Sequence, residues 1–208
     1  MVKRAYKPWQ NVFCDADDSG KRQYRYILSA NVNKAEMKKP LVIIGINPSK
    51  ANDQEQDNTI IAVEKLAIAN KYDGYIMINV YPQRATNIDD NDENTRLPEN
   101  GFEEKNQIEK NIQKIYNTVE KLQYRDILLA YGTLIYDREY LSTCLKQIIQ
   151  RLNELQPHYK YIALTGDGHP CHPLGPHRNH RCKAEPLGDS FKIQDINNAD
   201  LKVYLNQL

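Results

Sequence analysis

The sequence predicts an α/β fold: three layers, α/β/α, around a central, mainly parallel four-stranded sheet, with an N-terminal β-hairpin added. Three observations carry this prediction. Short apolar runs rich in β-branched residues, such as Leu41-Val42-Ile43-Ile44, stop abruptly and give way to polar turns. Between them lie segments with apolar residues at spacings of three and four, long enough to cross from one parallel strand to the next. Strands alternating with such helices build a parallel sheet covered on both faces by right-handed connections.

Taken in order, residues 14–20 are turn-rich and residues 24–32 alternate as a strand does, which predicts a hairpin covering one sheet edge. The first core strand, 41–46, breaks at Gly45 and runs into Asn47-Pro48-Ser49. A helix over 59–69 follows from Ile60, Ile61, Val63, Leu66, Ala67 and Ile68, with Asn58 or Thr59 as its cap. A strand over 75–80 is stopped by Tyr81-Pro82, and the acidic, Asn-rich stretch 89–104 reads as an exposed loop. Helical spacing returns over 107–122 through Ile108, Ile112, Ile115, Val119 and Leu122. A third strand, 126–130, ends at Tyr131-Gly132; a helix covers 139–155; a fourth strand, 159–164, ends at Thr165-Gly166. The whole reads as one domain over 1–208: a hairpin arm to residue 35, a core from 36 to 175, and a basic loop with a C-terminal segment from 176.

A chain of 208 residues with 40% hydrophobic content can bury one proper core. Twenty-eight basic against 27 acidic residues leave a net charge of +1, so no global field draws the chain to nucleic acid or membrane. The cysteines at 14, 144, 171 and 182 form no regular framework, and neither a charged-then-apolar leader nor a membrane-spanning stretch is expected. The expectation is a reduced, soluble, cytoplasmic protein with Cys171 and Cys182 as free thiols. No cofactor and no membrane partner are expected, and oligomeric state is left open.

In open α/β sheets ligands sit outside the carboxyl ends of the strands. Four strand ends bearing small or polar residues should therefore converge on one rim: 45–49, 79–82, 131–133 and 166–173. Each residue there has a plainer alternative. Asn47, Ser49 and Thr59 suit helix capping, and Asp57 suits either backbone amides at a helix start or activation of water. Asn79 is also a common turn residue, and Arg84 serves a phosphate or simply solvent.

The order Arg25-Tyr26-Ile27-Leu28, Asn47-Pro48-Ser49-Lys50-Ala51, Asp57-Asn58-Thr59-Ile60, Asn79, Arg84-Ala85-Thr86, Tyr131-Gly132 and Gly168-His169-Pro170-Cys171-His172-Pro173-Leu174 resembles the domain of unknown function numbered sixteen-forty-three. Tyr131 stands where that family usually has Trp, and Asn58 where it has Pro. More distantly, Gly45-Ile46-Asn47-Pro48, Asn79, Tyr131-Gly132 and His172-Pro173 fall in the order of the uracil-DNA glycosylase superfold. There Leu174 replaces the serine of a His-Pro-Ser loop, and Asn47 stands in place of a water-activating Asp.

That resemblance implies recognition of a nucleobase, a nucleotide or DNA, with hydrolysis of an N-glycosidic bond as the reaction. Asn47 and Asp57 would serve the water, Asn79 would read the base edge, and His172 would donate to the departing base. Pro48, Ser49, Thr59, Tyr81, Arg84, Gly132, His169 and Arg178 would complete the ligand site. The alternative is a non-catalytic module that holds or sequesters the same ligand. A basic cluster, Lys160, His177, Arg178, His180, Arg181 and Lys183, offers a local grip on phosphate. A third reading takes Cys171, His172, His177, His180 and Cys182 as a zinc-stabilised interaction surface. Their spacing matches no usual zinc finger, and no metal is assigned.

Overall fold

A computed structural model of the chain describes residues 3–85, 96–178, 182–197 and 200–201, with 177 and 178 as backbone only. Its elements in chain order are β1 (Arg4–Ala5), β2 (Val12–Asp17), β3 (Tyr24–Asn31), β4 (Pro40–Gly45), β5 (Glu55–Gln56), α1 (Asn58–Ala69), β6 (Gly74–Asn79), α2 (Lys105–Glu120), β7 (Asp126–Leu129), α3 (Glu139–Asn153), β8 (His158–Tyr161), α4 (Gly175–Arg178), β9 (Pro186–Leu187), β10 (Ser190–Phe191) and β11 (Gln194–Asp195).

The architecture is mixed α/β. Among the described residues the central sheet has seven strands, not four, in the order β11-β8-β7-β4-β6-β3-β2. Its middle four, β8-β7-β4-β6, are parallel, and β3, β2 and β11 join antiparallel. The hairpin of β2 and β3 extends the sheet beyond β6, and the supposed turn at 14–17 is part of β2. The two-residue β11 escaped prediction because so short a polar pair, Gln194-Asp195, carries no periodicity.

The connections explain where the helices lie. The chain steps from β4 to β6 through α1, then back across β4 to β7 through α2, and onward to β8 through α3. Right-handed crossovers that reverse direction put their helices on opposite faces. Accordingly Ile60, Val63, Leu66 and Ala67 of α1 pack with Leu41, Ile43, Tyr75 and Met77, the odd-numbered sheet residues. Ile108, Ile115 and Val119 of α2, with Leu145, Ile148 and Ile149 of α3, pack on Val42, Ile44, Ile76 and Ile78. Burial from both sides is why β4, Pro-Leu-Val-Ile-Ile-Gly, is apolar throughout rather than alternating.

Helix α1 starts one residue earlier than its predicted caps allow. Its cap is Asp57, whose Oδ1 accepts the Ile60 amide at 3.0 Å. Of the stretch expected to be an exposed loop, residues 89–95 lie outside the described residues; Leu97 is buried, and Gly101–Glu104 forms a 3₁₀ turn leading into α2. Among the described residues no helix is long and apolar enough to cross a membrane.

Candidate functional site

Because β6 and β7 flank β4 and were reached in opposite directions, the crevice beyond their carboxyl ends is a topological switch point. A cavity of about 370 Å³ opens there, on the α1 side of the sheet. Gly45, Ile46 and Asn47 enter it from the end of β4, Gly132 and Thr133 from the end of β7, and Thr165 and His172 from the loops after β8. The first turn of α1 closes one wall with Asp57, Asn58 and Thr59, and Leu174 and Cys182 close the other.

Of the residues expected at a site, Asn47, Ser49, Asp57, Thr59, Gly132 and His172 line this cavity. The Asn47 amide nitrogen donates to the carbonyls of Ala85 at 2.7 Å and Pro48 at 3.1 Å, which ties the Asn-Pro-Ser turn to the segment after β6. Pro48 serves that tie through its carbonyl, which also accepts the Ala85 amide, and is not itself part of the lining. Asp57 is buried, and both its oxygens accept backbone amides, Ile60 on one and Ala51 at 3.3 Å on the other. His172 accepts the Leu174 amide on Nδ1 at 3.2 Å, so a neutral ring carries its proton on Nε2. Gly132 adopts φ 66°, a left-handed backbone that favours glycine and lets the chain turn beside the His172 Cβ.

Asn79 is placed differently from its neighbours. Fully buried at the end of β6, it sits beside Gly45 in register and faces the α1 side, as Met77 does. Neither atom of its side-chain amide has a hydrogen-bond partner among the described residues. A methyl group added at Gly45 would collide with the Met77 methyl and lie 3.1 Å from Asn79 Oδ1, so the amide stands directly behind the cavity wall formed by Gly45 and Met77.

Tyr81, Arg84 and His169 are not in the lining. Tyr81 belongs to the core on the opposite face, its ring 4.9 Å from that of Tyr140, and burial raises its hydroxyl pKa. Arg84 donates to the carbonyls of Ser49 at 3.0 Å and Ala51 at 2.8 Å, holding the turn from behind. His169 stacks edge-on with Tyr136, and desolvation lowers its pKa. The side chains of Arg178 and His177, and residues Thr86, His180 and Arg181, lie outside what is described. Within the basic cluster Lys160 is already paired with Asp195, and lies 3.8 Å from Asp126.

Two features were not anticipated. Cys171 and Cys182 are not free thiols: they form a disulfide that fastens the loop after β8 over the cavity. The spacing of eleven residues within a His-rich segment suggested no pairing, and the balance of the composition pointed to a reduced chain. Among the described residues no three His, Cys, Asp or Glu side chains group as a metal site requires. The second is Arg25, a charged residue in the otherwise buried β3, which lines the cavity while only 2% exposed. The sequence signals were an arginine inside an apolar strand, Tyr24-Arg25-Tyr26-Ile27-Leu28, and its place at the head of the first family motif.

Residues 25–174 match the family described as Protein of unknown function (DUF1643). No curated protein and no solved structure matches the chain.

Proposed function

Because the chain belongs to the DUF1643 family, whose description assigns no activity, we propose a function from the pocket itself: recognition of the base of a nucleotide. The observation that carries this is Asn79. An amide that is fully buried with donor and acceptor both unmade costs about 1–3 kcal/mol for each group. Such an amide complements the adjacent donor and acceptor on a base edge. The flexible end of Met77 screens it from the cavity, and a ligand reaches it by displacing that methyl. The finer reading of the fold as uracil-DNA glycosylase-like, three-layered, draws support from helices packed on both sheet faces and from the order of Asn47, Asn79 and His172 along the rim.

Hydrolysis of an N-glycosidic bond is the reaction this arrangement suits. Cleavage puts negative charge on the departing base, and His172, whose ring lines the cavity, is the side chain proposed to meet it. Asn47 retains Oδ1 as an acceptor to hold water, since its nitrogen is engaged by carbonyls. Asp57 is the one carboxylate lining the cavity among the described residues, and both its oxygens are committed to amides. That commitment favours departure-driven cleavage without general-base catalysis, and it equally favours the second reading, a module that retains its ligand intact.

The test is incubation with deoxynucleosides, nucleotides and uracil- or modified-base-containing DNA, followed by mass spectrometry for bound ligand and free base. Free base that vanishes in His172→Ala establishes cleavage. Bound, intact ligand establishes retention, and neither would refute base recognition.

A further inference from the structure

We propose that Arg25 and the first turn of α1 form an anion subsite inside the cavity, and that it takes the phosphate of a free nucleoside monophosphate rather than a base flipped out of DNA. The nucleotide part of this rests on the function proposed above; the anion subsite stands on its own observations.

Arg25 lines the cavity from β3 and is 2% exposed. Its Nη1 donates to the Ala51 carbonyl at 2.8 Å, Nε has no partner, and it makes no ion pair among the described residues. The same carbonyl accepts Nη1 of Arg84 at 2.8 Å, so two guanidinium groups converge on one neutral acceptor. The nearby carboxylate, Asp57, spends its oxygens on the amides of Ile60 and Ala51. Burial, and then the charge of Arg84, lower the Arg25 pKa to about 10 despite the opposing pull of Asp57. A buried cation beside another cation is poorly stabilised by these protein groups alone, and an anion of the ligand would relieve it.

The first turn of α1, whose cap Asp57 lies near Arg25, adds to the same potential. Helix α1 runs twelve residues, and the first-turn amides of Asn58 and Thr59, both at the lining, have no partners within the helix. Asp57 occupies the Ile60 amide and leaves these two to a ligand.

Burial of Arg25 also selects the class of ligand. A polynucleotide is gripped through its backbone by exposed basic side chains, whereas here the cation lies within the cavity, Lys160 is paired with Asp195, and net charge is +1. A terminal phosphate carries about −1.5 to −2 charge near neutrality. A cavity of about 370 Å³ falls in the range that encloses small ligands.

Calorimetric titration of the unmodified protein with deoxyuridine, the four common deoxynucleosides, their 5′-monophosphates and inorganic phosphate tests this. The expected result is that one monophosphate binds at least tenfold more tightly than its nucleoside and that inorganic phosphate competes with it. Arg25→Gln should remove that tenfold difference, and Arg25→Lys should keep part of it, since the charge remains but the fork is lost. Equal affinity for nucleoside and monophosphate, without competition by phosphate, overturns the subsite even if Arg25→Gln fails to fold. Phosphate binding with no preference for any base would support the subsite while refuting base recognition.

Discussion

Replacing Asn79 with valine should make the protein more stable and functionally empty. Valine is close to asparagine in size, and its branched side chain suits the strand end that β6 supplies. The exchange removes two buried polar atoms that have no partners among the described residues. Each contributes about 1–3 kcal/mol of uncompensated desolvation, and the change of shape beside Gly45 and Met77 takes back up to about 1.5 kcal/mol. Together the two groups account for about 2–6 kcal/mol, so a net gain of about 0.5–6 kcal/mol follows, which for a chain of this length raises Tm by at least about 1 °C. Urea denaturation and calorimetry on the parent and Asn79→Val read this directly, and the same variant should lose nucleotide binding. A fall in stability of more than about 1 kcal/mol would refute the reasoning. It would mean that the Asn79 amide is satisfied within the native protein and is not held ready for a ligand.

Further expectations concern the walls of the same cavity. Gly45→Ala forces aside the flexible end of Met77, so stability should drop by about 1 kcal/mol while ligand affinity falls at least tenfold; unchanged affinity would separate Gly45 from the binding path. Asp57→Ala removes a helix cap and should cost about 1–2 kcal/mol in urea denaturation, whereas Asp57→Asn keeps the cap. If Asp57→Asn is stable yet abolishes turnover, Asp57 acts in the chemistry and not only in the fold. Thiol titration of the unfolded, unreduced protein should find two cysteines, Cys14 and Cys144, and reduction of the Cys171–Cys182 bridge should cost about 2–3 kcal/mol; four titrating thiols would show that the bridge does not form. Burial depresses the His169 pKa below 6.5, so stability is complete above that value and declines as pH falls towards the folded pKa, because the unfolded chain takes up the proton first. Melting between pH 7.5 and 5.5 should show this decline, and His169→Gln should flatten it.

The parts of this fold that could be foreseen are those written as local patterns. The apolar run before Gly45, the three-four spacing of α2 and α3 and the polar strand ends follow from periodicity, and they brought Asn47, Ser49, Asp57, Thr59, Gly132 and His172 to one cavity. What escaped depends on contacts between distant segments. Arg25 reaches the cavity because β3 pairs antiparallel with β6, a partnership nothing in residues 24–32 encodes. The Cys171–Cys182 bridge depends on how the loop after β8 folds back on Gly175, and Cys182 therefore became a wall of the cavity unannounced. Tyr81, two residues beyond Asn79, would share its face if the strand continued, but β6 ends at Asn79 and Val80 and Tyr81 both pack into the core around Tyr140.

The most direct measurement is the side-chain amide resonance of Asn79, assigned by its absence in Asn79→Val, followed by nuclear magnetic resonance while deoxynucleosides and their monophosphates are added. Recognition of a base by this pocket predicts a large, saturable shift of that resonance with at least one base and none with inorganic phosphate alone. A resonance that stays fixed while nucleotides bind would contradict it, placing the ligand's base somewhere other than the end of β6.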